Sequence, residues 1–330
     1  MKNLIYVLLL ATLASSCSKE LGKGLNQDPI EVYNEFWTHV DEHYIYFDLK
    51  GVDWDSVKES SLTKLNPHMT EEELYEVVKQ DLDLLKDGHN NLRTTFAKAS
   101  GYNYKKGYDV NFDFTHVKNY ATEEWSADGY FQYTYIDDIA YVYISRMRKM
   151  DGLKPLLRSI LTEDTRALVI DIRNNGGGDS NPIPELLGDY VTERTLLSYY
   201  VEKSGPGHNQ NTDPIAVYAE PSSDFNFSGP VILLTNRGSF SASSYMASMM
   251  KGLPTFTIIG QVTGGGGGGN STYELSNGWL LSLSMSDMLD KELQSIEPGV
   301  QPDIEINNTL ADMKENRDVV LERAIQIIRK

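Results

Sequence analysis

Three short apolar runs, 167-ALVIDI-172, 230-PVILLT-235 and 255-TFTIIG-260, recur along the second half of the chain with helical stretches between them. Short β-branched runs of this kind read as strands buried on both faces, and their alternation with helices predicts a mainly parallel sheet with helices on either side. Upstream, 131-FQYTYI-136 and 140-AYVYI-144 also read as strands. From Glu31 to about Ala99 the periodicity is helical. The clearest helix follows Thr70, where Thr70 and Glu73 have capping-box spacing and Leu74, Val77, Val78, Leu82 and Leu85 share one face. Gly88 in 86-KDGH-89 suits a left-handed position at its end and leaves His89 on a turn. A last helix runs roughly from Asp312 to Ile328. The expected fold class is α/β, with a small N-terminal helical domain over residues 30–99 and a core domain over 100–330.

The chain opens with MKNLIYVLLLATLASSCSKE, in which one Lys precedes an apolar run from Leu4 to Leu13 and small residues lead to Cys17. That is the pattern of a secretory signal, and the run is shorter than the ~20 residues a spanning helix needs. Residues 1–17 are therefore read as a signal peptide and the polar, Gly-containing 18–29 as a tether. Cys17 is the sole cysteine, so no intramolecular disulfide can form. Placed after Ala14-Ser15-Ser16, it resembles the lipobox of bacterial lipoproteins, whose acylated cysteine would anchor the protein in the cell envelope, in the periplasm or at the surface. A formal net charge of −17 argues against nucleic-acid and anionic-membrane partners, so membrane association is expected only through the lipid. Neither a His–Glu-x-x-His motif, nor a cysteine cluster, nor a nucleotide-binding glycine motif is present, and no metal or cofactor is expected.

The stretch 236-NRGSFSASSYM-246 follows a strand and opens a helix. A serine hydroxyl at such a junction lies near free backbone amides and a helix dipole, which favour developing negative charge, so Ser241 is a candidate nucleophile. The alternative is that these serines are N-caps. Gly-x-Ser-x-Gly is absent, because 238-GSFSA-242 lacks the last glycine. The second signal is 171-DIRNNGGGDS-180, three glycines at the end of a buried strand, read as an oxyanion or substrate-backbone clamp that needs a serine nearby.

Together, "VIDIRNNGGG", "LTNRGSFSASSYMASMM" and "IIGQVTGG" resemble the C-terminal processing peptidase superfamily, in its branch of tricorn-core and interphotoreceptor retinoid-binding proteins. The likeness extends to "FWTHVDEHYIYFDLKGVDWDSV", "LLKDGHNNL" and "EPGVQPDIEI". It implies a serine-peptidase core related to the ClpP/crotonase fold, with Ser241 as nucleophile. One branch of the superfamily places a lysine base where this chain has 263-TGGGGGG-269; no lysine stands there, and the next is Lys291. The tricorn-like branch uses a histidine in an Asp-Gly-His context, which here is His89. Glu297, before 299-GVQPD-303, is the implied orienting acid, with Asp303 as its competitor. In that branch a serine precedes the histidine, whereas this chain has Gly88. The oxyanion hole is assigned to the amides of Ala242 and either Gly177 or Gly176.

His39 and His43 are read as packing residues, His208 in 205-GPGHN-209 as a substrate contact, and Gly265 as a substrate-binding position in a flexible glycine wall or lid over 264–269. Residues 100–140 are about half the size of a PDZ domain, so none is expected. The overall reading is an exported serine endopeptidase acting on peptide or protein substrates through Ser241, His89 and Glu297. Two alternatives are a weak or inactive peptide-binding lipoprotein of the same fold, motivated by Gly88, and a glycan-binding surface lipoprotein, motivated by 20 Tyr and 4 Trp.

Overall fold

The computed structural model describes residues 25–330 apart from Gln27. The signal peptide, Cys17 and most of the tether lie outside the described residues. Where the tether meets the fold, Asp28 caps the helix Pro29–His43 by accepting the amides of Ile30 and Glu31, and Pro29 occupies the first turn, where a missing N–H costs no hydrogen bond.

Seven strands form the main sheet, in the order Ile304–Glu305, Phe256–Gly260, Val231–Thr235, Ala167–Asp171, Ile139–Ile144, Phe131–Ile136 and Ser126–Asp128. The first five run parallel, and the last two extend the edge antiparallel. Val231–Thr235 and Ala167–Asp171 are buried at every residue, as unbroken apolar runs require when helices cover both faces. Helices Leu153–Ile160, Ile183–Leu187 and Ala242–Met250 pack on one face through residues such as Leu157, Ile183 and Met246. Val319–Ile328 packs on the other through Val320, Leu321 and Ala324.

The N-terminal helices behave differently from the sequence expectation in one respect. The helix Glu71–Leu84 forms with its Thr70–Glu73 capping box, but helical structure stops there, and Asn91–Arg93 and Lys98–Ser100 form a hairpin. Leu92 turns inward against Leu281, because Asn91–Arg93 pairs antiparallel with Leu280–Ser284. The resulting four-stranded sheet, completed by Asn270–Glu274, supports Val32, Phe36, Val78 and Leu82 of the helices. A segment near the end of the chain thus finishes the core of its beginning. The left-handed residue after the helix is Lys86 (φ 46°) rather than Gly88. The final helix is split into Leu310–Lys314 and Val319–Ile328, the second capped by Asp318. Trp54, Trp279, Tyr33, Tyr44, Tyr46 and Tyr141 are fully buried, so these aromatic rings serve packing rather than a sugar surface.

Asp171 and Arg173 of the DIRNNGGG segment are structural. Arg173 is 1% exposed and bridges Asp171 (2.5 Å) and Asp318 (2.8 Å), while the Tyr141 hydroxyl donates to Asp171 at 2.6 Å. The network ties the end of a central strand to the cap of the last helix. Because removing one member strands a buried charge, Asp318→Ala is expected to lower unfolding free energy by about 3–5 kcal/mol in urea titration, and a loss below about 1 kcal/mol would contradict this account.

Candidate active site

The loops that follow the strands Ala167–Asp171, Val231–Thr235 and Phe256–Gly260 converge at the C-terminal edge of the parallel sheet, where clefts in such sheets form. Ser241 sits there at the head of the helix Ala242–Met250 with φ 57° and ψ −124°, a strained conformation for a residue with a Cβ. Its amide donates to Gly265 O at 2.8 Å, and its carbonyl accepts from Tyr245 N at 3.0 Å. Gly177 presses against it from the other side; a Cβ on Gly177 would lie 2.8 Å from Ser241 Cβ and 2.9 Å from Ala242 N. A strained strand–turn–helix is therefore built here without the Gly-x-Ser-x-Gly sequence.

The fates of the four serines separate capping from chemistry. Ser239 Oγ donates to Ile172 O, Ser244 Oγ binds Thr263 and Gly265, and Ser243 is buried in the helix. Ser241 holds the N-cap position, yet its hydroxyl makes no capping bond. It lies instead 2.9 Å from His89 Nε2.

His89 is carried by the turn after Glu71–Leu84. Asp87 Oδ1 accepts the His89 main-chain N–H at 2.8 Å, and Asn91 Nδ2 donates to His89 O at 2.6 Å. The ring packs against Phe240, with centroids 4.8 Å apart, and Phe240 in turn stacks on Tyr104 at 3.9 Å. A Cβ on Gly88 would meet the Phe240 ring at 2.8 Å, which explains why no serine precedes the histidine. Consistent with that missing hydroxyl, His89 Nδ1 is buried and has no partner among the described residues. Burial holds the His89 pKa below its ordinary value, and the Asp87 charge opposes the shift.

Glu297 lies in the same cluster of loops but makes no hydrogen bond to His89 among the described residues. Its Oε1 accepts from Lys50 Nζ at 2.7 Å, and its Oε2 accepts from Gly267 N at 3.0 Å. Burial first, and then the Asp87 charge, push its pKa up to about 7 against the pull of Lys50. Burial likewise raises Asp287 to about 7, although Tyr46 and Ser295 donate to it. Asp303 is engaged elsewhere, accepting Ile258 N at 2.8 Å.

The glycine run is not a flexible lid. Gly264–Gly268 are buried, and a Cβ on Gly264 would strike Tyr104, on Gly265 the Glu297 carbonyl, on Gly266 the Phe240 ring, on Gly267 Asp287, and on Gly268 Ser284. The segment is a belt packed between the histidine and the acidic cluster. Gly265 spends its carbonyl on Ser241 N and Ser244 Oγ, which makes it a support of the serine. His208 stacks on Phe47 at 4.2 Å and approaches Asp41 at 3.1 Å, with no contact to Ser241 or His89 among the described residues. Of the candidate oxyanion donors, Ala242 N heads its helix without a partner among the described residues. Gly177 touches Ser241, with its amide donated to Asn175 Oδ1 at 2.9 Å, whereas the only neighbour a Gly176 Cβ would meet within 4 Å is the Tyr104 hydroxyl. Lys50, Asp87, Phe240 and Tyr104 have no role in the sequence reading; Asp87 alone carried a signal, as part of Asp-Gly-His.

The comparisons with known proteins agree with this architecture. The model of peptidase family S41 matches residues 138–306, just over half of the chain, and that of the tricorn protease C1 domain matches residues 26–82. The tricorn protease of Thermoplasma volcanium is 31% identical over 58% of this chain and 17% of its own length, and the carboxy-terminal processing protease CtpB of Bacillus subtilis is 24% identical over 51% and 34%. The chain therefore spans well under half the length of these relatives. A solved structure, that of a putative peptidase from Parabacteroides merdae, is 32% identical with a TM-score of 0.84, covering 92% of this chain and 97% of that one. With its fold, its loop cluster and these matches in agreement, the chain belongs to peptidase family S41.

Proposed function

We propose that the protein is an exported, lipid-anchored serine endopeptidase in which Ser241 is the nucleophile and His89 the general base. The observation that carries this reading is the 2.9 Å contact between Ser241 Oγ and His89 Nε2, made by a strained serine whose hydroxyl caps nothing. In the reaction, Ser241 Oγ attacks a peptide carbonyl while its proton passes to Nε2; the imidazolium then protonates the leaving amine, and water hydrolyses the acyl-enzyme. The amide of Ala242, at the positive end of its helix, faces the developing oxyanion, with the 176–177 glycines opposite. The length of chain shared with peptidases supports a peptide or protein substrate. A second reading, a peptide-binding protein without turnover, draws on His89 Nδ1, which lacks a partner among the described residues, and on Glu297, which is occupied by Lys50.

A fluorescent fluorophosphonate separates the two readings. The full chain should be labelled, Ser241→Ala should not, and His89→Ala should react at least about 100-fold more slowly. Because the neutral imidazole is the active form and burial favours it, labelling should fall off with acid at a midpoint below the ordinary histidine value of about 6.5. A folded wild type that stays unlabelled would favour the non-catalytic reading, and a midpoint above that value would contradict His89 as the base.

A further inference from the structure

We propose that Asp87 is the positioning carboxylate of His89, and that Glu297 serves instead as the counter-ion through which Lys50 latches the N-terminal helices to the catalytic loops. The inference rests on the reading of Ser241 and His89 as nucleophile and base. It deepens that reading by naming what stands behind the histidine when Gly88 leaves no hydroxyl there.

The Asp87 side chain is 1% exposed. One oxygen accepts the main-chain N–H of His89, which fixes the carboxylate against the residue that carries the base. Its other oxygen, Oδ2, is buried without a partner among the described residues, and so is His89 Nδ1, two residues along the same turn. Buried polar atoms in folded proteins almost always find partners, and here an acceptor and a donor of matching need are left over on one tight loop. Asp87 is also the charge that acts on the imidazole, favouring its protonated form, as a carboxylate behind a general base must. The groups facing Asp87 are Tyr44, Tyr46, Tyr245, Asp287, Glu297 and, through Glu297, Lys50.

Glu297 is committed elsewhere. Each of its oxygens has a donor, Lys50 Nζ on one and Gly267 N on the other. Lys50 closes the helix Phe47–Lys50, and its Nζ also donates to Lys86 O at 3.0 Å, one residue before Asp87. The lysine therefore clips three pieces together: the N-terminal helices, the turn 86–89 and the glycine belt. During attack the Ser241 proton moves to Nε2, the Nδ1 proton stays on the ring, and the Asp87 charge favours the imidazolium so formed.

The test compares fluorophosphonate inactivation rates of the full chain with those of Asp87→Asn and Glu297→Gln across the pH range of imidazole ionisation. Asparagine can still accept the His89 amide, so the turn survives while the charge is lost. Asp87→Asn is expected to slow labelling by about 100-fold or more and to move the acid limb to lower pH, because the charge that favoured the imidazolium is gone. Glu297→Gln is expected to slow labelling by about tenfold or less, to leave the limb in place and to lower the thermal midpoint as much as Lys50→Met does. If Asp87→Asn does not fold, Asp87→Ser supplies an acceptor to the same amide and takes its place. A larger loss in Glu297→Gln, or an Asp87 variant with the wild-type rate and limb, overturns the inference while leaving Ser241 and His89 in their roles. An unlabelled wild type overturns both.

Discussion

A serine held in a left-handed backbone conformation depends on surroundings that have no room to let it relax. Strain of this kind costs on the order of 1–3 kcal/mol and persists only where packing over-determines it. Here the over-determination comes from backbone without side chains. Gly177 closes on Ser241 from one loop, at a distance that a Cβ would forbid, and Gly265, itself pressed against the Glu297 carbonyl, receives the Ser241 amide from another. The serine is thus fixed by two loops that follow different strands of one sheet, so the accuracy of the site is inherited from the rigidity of the sheet.

The same economy of side chains explains the histidine. Phe240, next to the serine, fills the space that Gly88 and Gly266 leave open, and its ring supports His89 at 4.8 Å. Behind the ring the belt Gly264–Gly268 separates His89 from a buried acidic group made of Glu297 and Asp287. Lys50 pairs with Glu297 and, in doing so, joins the first helices of the chain to the loops around Ser241. Since the strand pair 91–93 and 280–284 also crosses between the beginning and the end of the chain, His89 and Ser241 are brought together by a core that neither half could complete alone.

Much of this was legible in the sequence, and the exceptions have physical reasons. The three buried strands announced themselves because parallel strands covered on both faces leave unbroken apolar runs, and the helix after Thr70 because a capping box is local chemistry. The hairpin at 91–100 was hidden, since its large inward residue, Leu92, finds its partner Leu281 nearly 190 residues away. The glycine run misled in the opposite direction. Six glycines in isolation signal flexibility, yet their neighbours in space, invisible in one dimension, turn five of them, Gly264–Gly268, into a packed wall of the site. Linked motifs singled out Ser241 and His89, which the fold brings to within 2.9 Å of each other. The contact between Lys50 and Glu297 carried no sequence signal, because two opposite charges far apart in the chain look like any other surface pair.

The central claim is that the missing side chains of the glycine belt set the geometry of the serine–histidine pair. Gly266→Ala tests it most directly, since its φ is +76° and the new methyl would lie 2.5 Å from the Phe240 ring and 3.0 Å from His89 Cε1. The measurement is the fluorophosphonate labelling rate of this variant beside Gly152→Ala, whose methyl would meet only Phe131 at 3.7 Å. The account predicts a folded Gly266→Ala protein that labels about 100-fold more slowly, as a displacement of about 1 Å can produce, and a Gly152→Ala protein at the wild-type rate. Labelling of Gly266→Ala at the wild-type rate would contradict it.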